Sequence, residues 1–260
     1  MKRLRLALLA IGLAIAFGPA SPVGAQAPQA DREAFLSGTT KDCPGCSLAG
    51  VSLKRRDLSR ANLSGADLSD AVFHRANLRG AKLDGARLER ANLNKADIKQ
   101  ASLTKADLTD ALLYEADLGG ADLNGAVLYG ARMQHARLTL AKLAGANLKE
   151  SVGRNVEGNG ADLTGTDLTD AVWTEANLVS AKLSGATLDG SNFTKARLGR
   201  ANFTGASSLQ VDYYGADFTN AVLTNGDFRG SRLELARMEG AETTGLNVSG
   251  GILPDGREAP

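Results

Sequence analysis

From Ala61 to Ala146 an alanine stands at every fifth position, and two residues after each comes a large apolar side chain, from Leu63 to Leu148. Only Phe73, Ile98 and Met133 replace leucine in that series. A period of five fits neither an α-helix, which repeats at about 3.6 residues, nor a flat strand, which repeats at 2. A chain with this pattern turns a corner every few residues and keeps two apolar positions per side pointing inward. The pattern predicts an all-β solenoid, and a solenoid wall has no cleft where an active site naturally forms.

The repeat begins near Cys46-Ser47-Leu48 and keeps its phase through residues 46–150. Residues 151–160 then break it, because Gly153 and Gly158 stand where leucine is expected. These ten residues equal two pentads, so they read as a degenerate half-coil or a loop, and their Gly and Asn content favours an exposed turn. The phase resumes unshifted over residues 161–245, with one irregular pentad around Ser207-Ser208-Leu209-Gln210. It fades after Met238, leaving residues 246–260 as a cap or tail. Ahead of the repeat, residues 26–45 form a cap segment. Asp31 there should cap a helical turn through Leu36, with Gly38 ending it. Phe35 and Leu36 would cover the first coil, whose open edge otherwise invites aggregation.

Ala-Asp-Leu-Ser-Asp (66–70), Ala-Asn-Leu-Arg-Gly (76–80) and Ala-Asp-Leu-Asn-Gly (121–125) resemble the repeats of the pentapeptide-repeat family. That resemblance covers about residues 46–245 and implies a right-handed quadrilateral β-helix with four pentads per coil. It implies about ten 20-residue coils, a rod of about 48 Å at strand spacing. The start Cys43-Pro44-Gly45-Cys46-Ser47-Leu48 is similar to that of many exported members.

The twenty-residue coil has a test inside the sequence. One column of central residues twenty apart reads Leu53, Phe73, Leu93, Leu113, Met133, Gly153, Trp173, Phe193, Tyr213, Leu233. The column five residues earlier is leucine from Leu68 to Leu188. Aromatic residues therefore gather on one side, where successive rings could stack.

Charge and leader change the picture in one respect each. Met1-Lys2-Arg3-Leu4-Arg5, the apolar run Leu6 to Phe17 and the small residues ending at Ala25 have the layout of a signal peptide, residues 1–25. The apolar run is too short for a membrane span. Its removal leaves 27 basic residues of the original 30 against 29 acidic ones, close to neutral. That balance offers no basic stripe for nucleic acid and no acidic surface imitating it. The expectation is an exported, periplasmic protein.

Candidate chemistry is sparse. Residues just before each central position face outward and alternate in sign up a wall: Asp67, Arg87 and Asp107; Asp122, Lys142 and Asp162; Asp117 and Arg137. Beside the aromatic column, Val72, Leu112 and Val172 precede the stacked residues, and His74, Tyr114 and Tyr214 follow them. Those six residues form the candidate partner surface, although isolated exposed apolar residues would look the same. Cys43 and Cys46 are the only thiols. They read as a structural disulfide, as half of a zinc site shared between chains, or as a redox pair. His74 and His135 fall about three coils apart, too far to share a proton, and no glycine-rich phosphate loop occurs; most glycines serve corners. Neither a catalytic residue nor a cofactor or metal site is expected.

These observations support a non-enzymatic exported scaffold or protein-interaction module with an unidentified protein partner, which could also pair end to end as a homodimer. Two alternatives come from other classes. One is a topoisomerase-protecting DNA mimic, as in the quinolone-resistance branch of the family, whose interrupting loops residues 153–160 could echo. The near-neutral charge and the leader disagree with it. The other is a thiol-redox protein acting through Cys43 and Cys46.

Overall fold

The computed structural model describes residues 29–260. The leader expected at residues 1–25 lies outside the described residues.

Helix α1 spans Gln29–Ser37. It starts two residues ahead of Asp31, which therefore sits in the first turn instead of capping it. A carboxylate there still meets the positive end of the helix dipole. Gly38 takes φ 84° and lets the amide of Thr39 return to the carbonyl of Ala34 at 2.9 Å, closing the helix. Phe35 is wholly buried in the core, with the Arg56 guanidinium 4.4 Å from its ring centroid. Leu36 is not: it stays exposed, because the helix turns that side to solvent.

From Ser47↔Asp67 to Arg232↔Ile252, an isolated parallel bridge joins residues twenty apart at every fifth position, without a gap. Four pentads therefore make one coil. The pentad Ala121-Asp122-Leu123-Asn124-Gly125 shows how each amide is used. Ala121 donates to Leu118 O across the corner at 2.9 Å. Asp122 donates to Ala101 O of the preceding coil at 2.9 Å, and Leu123 to Lys142 O of the next at 2.7 Å. Gly125 donates to Ala144 O at 3.0 Å. The fifth amide, on Asn124, has no backbone partner and is capped by Asp122 Oδ1 at 3.1 Å. This explains why Asp or Asn so often precedes the central leucine: its carboxamide or carboxylate satisfies the amide two residues on.

The last residue of each pentad is left-handed, and glycine is not required there. Lys105 at φ 55° and Leu140 at φ 57° hold the same corner geometry as Gly125 at φ 65°. An L-residue there costs roughly 1–2 kcal/mol, which the surrounding ladder bonds and buried leucines offset. Alanine and central positions are almost wholly buried along the ladder, so the core is a stack of Ala–Leu layers.

Residues 151–160 stay in this stack. Arg132↔Val152↔Val172 and Arg137↔Glu157↔Asn177 are bridged like any other rungs. The exposed turn expected from the Gly and Asn content is not formed. The glycines instead make room for larger neighbours one coil on. A Cβ on Gly153 would lie 2.8 Å from the Trp173 indole, and one on Gly158 2.7 Å from Leu178 Cδ2. Trp173 fills the space beside Gly153 and donates Nε1–H to Ser151 Oγ at 3.0 Å, with Ser151 in the alanine position. The irregular pentad at 206–210 uses the same exchange: Ser208 replaces the central leucine, and its Oγ lies 3.0 Å from the Tyr213 hydroxyl. Burial pushes that phenol above its ordinary range.

Aromatic rings do not keep to one wall. Trp173, Phe193 and Tyr213 follow one another at 6.3 and 5.9 Å, as the column predicts. Phe203, Phe218 and Phe228 project from the other three walls; Phe218 and Phe228 meet Tyr213, Phe228 stacking on it at 5.5 Å, and Phe203 packs against both. One aromatic plug thus fills the C-terminal part of the core.

The ladder also outlasts its sequence signal, continuing to Ile252. There the chain reverses through Pro254-Asp255-Gly256, and Ile252 pairs antiparallel with Glu258. Leu253 donates to Arg257 O at 2.7 Å and Ala259 to Gly251 O at 2.8 Å, so a hairpin returns along the last rung.

Candidate functional site

Repeat arithmetic places the six candidate residues on one wall, and the bridges put three of them, Val72, Leu112 and Val172, in one column: Val72↔Asn92↔Leu112↔Arg132↔Val152↔Val172. Their surroundings differ. Val72, His74, Leu112 and Val172 are partly buried by neighbours up and down the wall. Tyr114 is 40% exposed, the most accessible of the six. Asn92 and Arg132 interrupt the apolar column, so the wall carries no continuous patch. Val152 belongs to the same column and closes the gap to Val172. It was missed because its segment reads as a turn; spacing by twenty from Leu112 and Val172 would have found it.

Tyr114 borders a corner groove of about 690 Å³ lined by Tyr114, Glu115, His135, Arg137, Asn155 and Glu157. The His135 ring meets Tyr114 edge-on at 5.7 Å, and Lys95 Nζ lies 5.7 Å from the Tyr114 centroid and 3.2 Å from Glu115 Oε2. The hydrogen bond with Tyr114, then Lys95, holds the Glu115 carboxyl below its ordinary range, while Glu115 pushes the Tyr114 phenol up. Farther along, the Arg232 guanidinium lies 4.3 Å from the Tyr214 ring centroid and screens that ring from solvent. His74 and His135 sit on different coils, as their numbering requires, and share no partner.

Several cations on the charged walls pair with the carboxylate twenty residues before them, while Lys95, Lys99 and Lys149 pair with one on the following coil. Arg87 reaches back to Asp67 at 3.7 Å, Arg137 to Asp117 at 3.6 Å, Lys142 to Asp122 at 3.8 Å and Lys182 to Asp162 at 3.5 Å. Arg90 grips Asp70 with two bonds of 2.8 Å. Exposed pairs of this kind are worth roughly 0.2–1 kcal/mol each, so they tune register and solubility more than stability.

Cys43 and Cys46 are bonded to each other, with Cα atoms 5.4 Å apart. Cys43 occupies a central position and Cys46 an alanine position, so both sulfurs point into the core of the first coil and both residues are buried. A disulfide so enclosed lacks the access that exchange with a second thiol needs.

Outward apolar residues also occur at corners and at the C-terminal end. Leu140 and Leu235 are 67% and 59% exposed at left-handed corners. Met238, Leu246 and Val248 pack only partly against the last coils.

With coil, corner and wall established, the protein is a pentapeptide-repeat solenoid. The sequence profile for Pentapeptide repeats matches in eight copies, over residues 46–83, 71–110, 106–143, 136–172, 174–207 and 210–250. The chain belongs to that family, whose fold is the right-handed quadrilateral β-helix. Among solved structures it is similar to HetL, a pentapeptide repeat protein involved in heterocyst differentiation regulation from the cyanobacterium Nostoc sp. strain PCC 7120. That match has 29% identity, 88% of this chain and 98% of the other covered, and a TM-score of 0.42. A pentapeptide repeat protein from the thylakoid lumen of Arabidopsis thaliana matches at 35% identity over 36% of this chain and 66% of its own, with a TM-score of 0.36. QnrB1, a plasmid-mediated fluoroquinolone resistance protein, matches at 19% identity over 79% of this chain and 91% of its own, with a TM-score of 0.25. No curated protein sequence matches this chain.

Proposed function

We propose that this protein is a non-enzymatic, exported scaffold that presents one wall of its prism to a protein partner. The observation that carries the reading is the wall itself. Val72, Leu112, Val152 and Val172 share one outward column, with Tyr114 beside it on an accessible corner. Regular coils hold these side chains at fixed spacing, so docking costs little ordering entropy. Export rests on the leader read at residues 1–25. The partly covered Met238, Leu246 and Val248 make the C-terminal end the natural place for end-to-end pairing with a second copy. Helix α1, with Phe35 in the core, would close the opposite end.

Neither alternative gains support. In-register coils at residues 151–160 remove the loop on which the likeness to a topoisomerase-protecting mimic drew. The buried disulfide offers no exposed thiol for redox exchange.

Leu112→Lys and Val172→Lys lie on the wall without entering the core and should leave melting within about 1 kcal/mol. In affinity capture from the exported fraction, one specific partner should be retained by the unsubstituted protein and by a Leu140→Lys control, and lost by both wall variants. Equal retention by all four proteins, or recovery of the chain in the cytoplasm with residues 1–25 attached, would refute the proposal.

A further inference from the structure

A second wall gathers several arginines around one depression toward its C-terminal end. Toward its N-terminal end Arg79 pairs with Asp97, Lys99 with Asp97 and Asp117, and Arg137 with Asp117. On the same wall, Arg197, Arg200 and Arg237 border a depression of about 330 Å³ floored by Gly199, and one carboxylate, Asp217, lies among them. Asp217 is already occupied. Its Oδ1 accepts from Thr219 N at 3.0 Å and Thr219 Oγ1 at 2.6 Å, and its Oδ2 takes Arg237. Among the described residues, neither Arg197 nor Arg200 is ion-paired.

The backbone adds an unsatisfied donor at the same place. On this wall several of these amides are capped by an Asp or Asn two residues earlier, Arg79 by Asn77, Lys99 by Asp97, Gly119 by Asp117 and Thr219 by Asp217, while those that follow Arg137 and Arg237 are not. Position 197 is arginine, so the Gly199 amide has no side-chain acceptor, and among the described residues it has no hydrogen-bond partner. Gly199 has no side chain to cover it, and a Cβ there would meet nothing closer than Thr219 O at 3.5 Å. The repeat has thus replaced an acceptor with a donor and left three guanidinium groups around the gap.

From this we infer that the depression is a binding site for a phosphate-type oxyanion, held by Arg197, Arg200 and Arg237 with one oxygen on the Gly199 amide. Guanidinium forks bind such oxygens through paired, charge-assisted hydrogen bonds. A tetrahedral group uses more of these donors than the two oxygens of a carboxylate could. The depression has room for such a group, free in solution or carried on a lipid headgroup.

The test is a titration of the isotopically labelled chain with inorganic phosphate at constant ionic strength, following backbone amides by NMR. The Gly199 amide should move downfield and saturate, while that of Gly119, already capped by Asp117, should not. Arg197→Gln combined with Arg200→Gln should weaken the response by about tenfold or more. Arg197→Asp provides a second variant: it restores the usual cap, keeps the repeat pattern, and should abolish the response without lowering the melting temperature. Cosedimentation with phosphatidylcholine vesicles, with and without phosphatidic acid, separates the sources. Saturation by inorganic phosphate identifies a soluble anion, and binding only to phosphatidic acid vesicles identifies a headgroup. A Gly199 shift no larger than that of Gly119 together with no vesicle binding overturns the inference. So does binding that survives Arg197→Asp.

Discussion

Leu108→Arg will abolish cooperative folding of the central coils, whereas Lys105→Ala, three residues away, will leave melting almost unchanged. Leu108 is wholly buried in a column of leucines, bonded to Val127 O on the next coil. Arginine there forfeits roughly 1.5–3 kcal/mol of apolar burial. It also places a charge where no carboxylate can reach, which costs several kcal/mol more. The guanidinium cannot escape to solvent without prying two coils apart, and in a stacked repeat the disruption passes to both neighbours. A loss of about 5 kcal/mol or more is therefore expected, comparable with the whole stability of many domains. Lys105 is exposed at a corner with φ 55°. Alanine has the same left-handed strain, so the change should fall within about 0.5 kcal/mol. Thermal unfolding followed by circular dichroism gives the comparison, and equal midpoints for the two variants would contradict the buried-column geometry.

The contrast between these residues was legible in the sequence because a period of five is a local signal repeated many times. Ala61 to Leu148 fixes inward and outward positions without any knowledge of contacts, and spacing by twenty places Val72 and Leu112 on one wall. Features that depend on a neighbour one coil away were harder to see. Gly153 and Gly158 look like turn formers along the chain, yet their meaning lies in Trp173 and Leu178, twenty residues on. The hairpin at Leu253 to Arg257 escaped for a similar reason: it extends the ladder after the alanines and leucines have stopped. Helix α1 was visible as a helical turn, but its start at Gln29 precedes the Asp31 that seemed to cap it. The depression around Gly199 was hidden because Arg197, Arg200 and Arg237 come together only once the coils are stacked.

Exchange of volume between coils makes the second large prediction, a pair of damaging substitutions that repair each other. Gly153→Leu restores the usual central residue but drives its Cβ to within 2.8 Å of the Trp173 ring. Overpacking of this kind costs roughly 1–3 kcal/mol, and a rigid indole wedged in a narrow prism places it at the upper end. Trp173→Leu removes the ring, leaves the space beside Gly153 empty and strands the buried Ser151 hydroxyl that accepted the indole N–H. Cavity and orphaned hydroxyl together should cost about 3 kcal/mol. Combined, Gly153→Leu and Trp173→Leu rebuild the leucine stack found at Leu93 and Leu113, and Ser151→Ala then completes a regular pentad. The double variant should recover most of what either single variant loses, giving a coupling energy of about 2–3 kcal/mol. Denaturant unfolding of the four proteins measures it. Additive losses would mean that the glycine and the tryptophan do not share one space, and that residues 151–160 leave the coil.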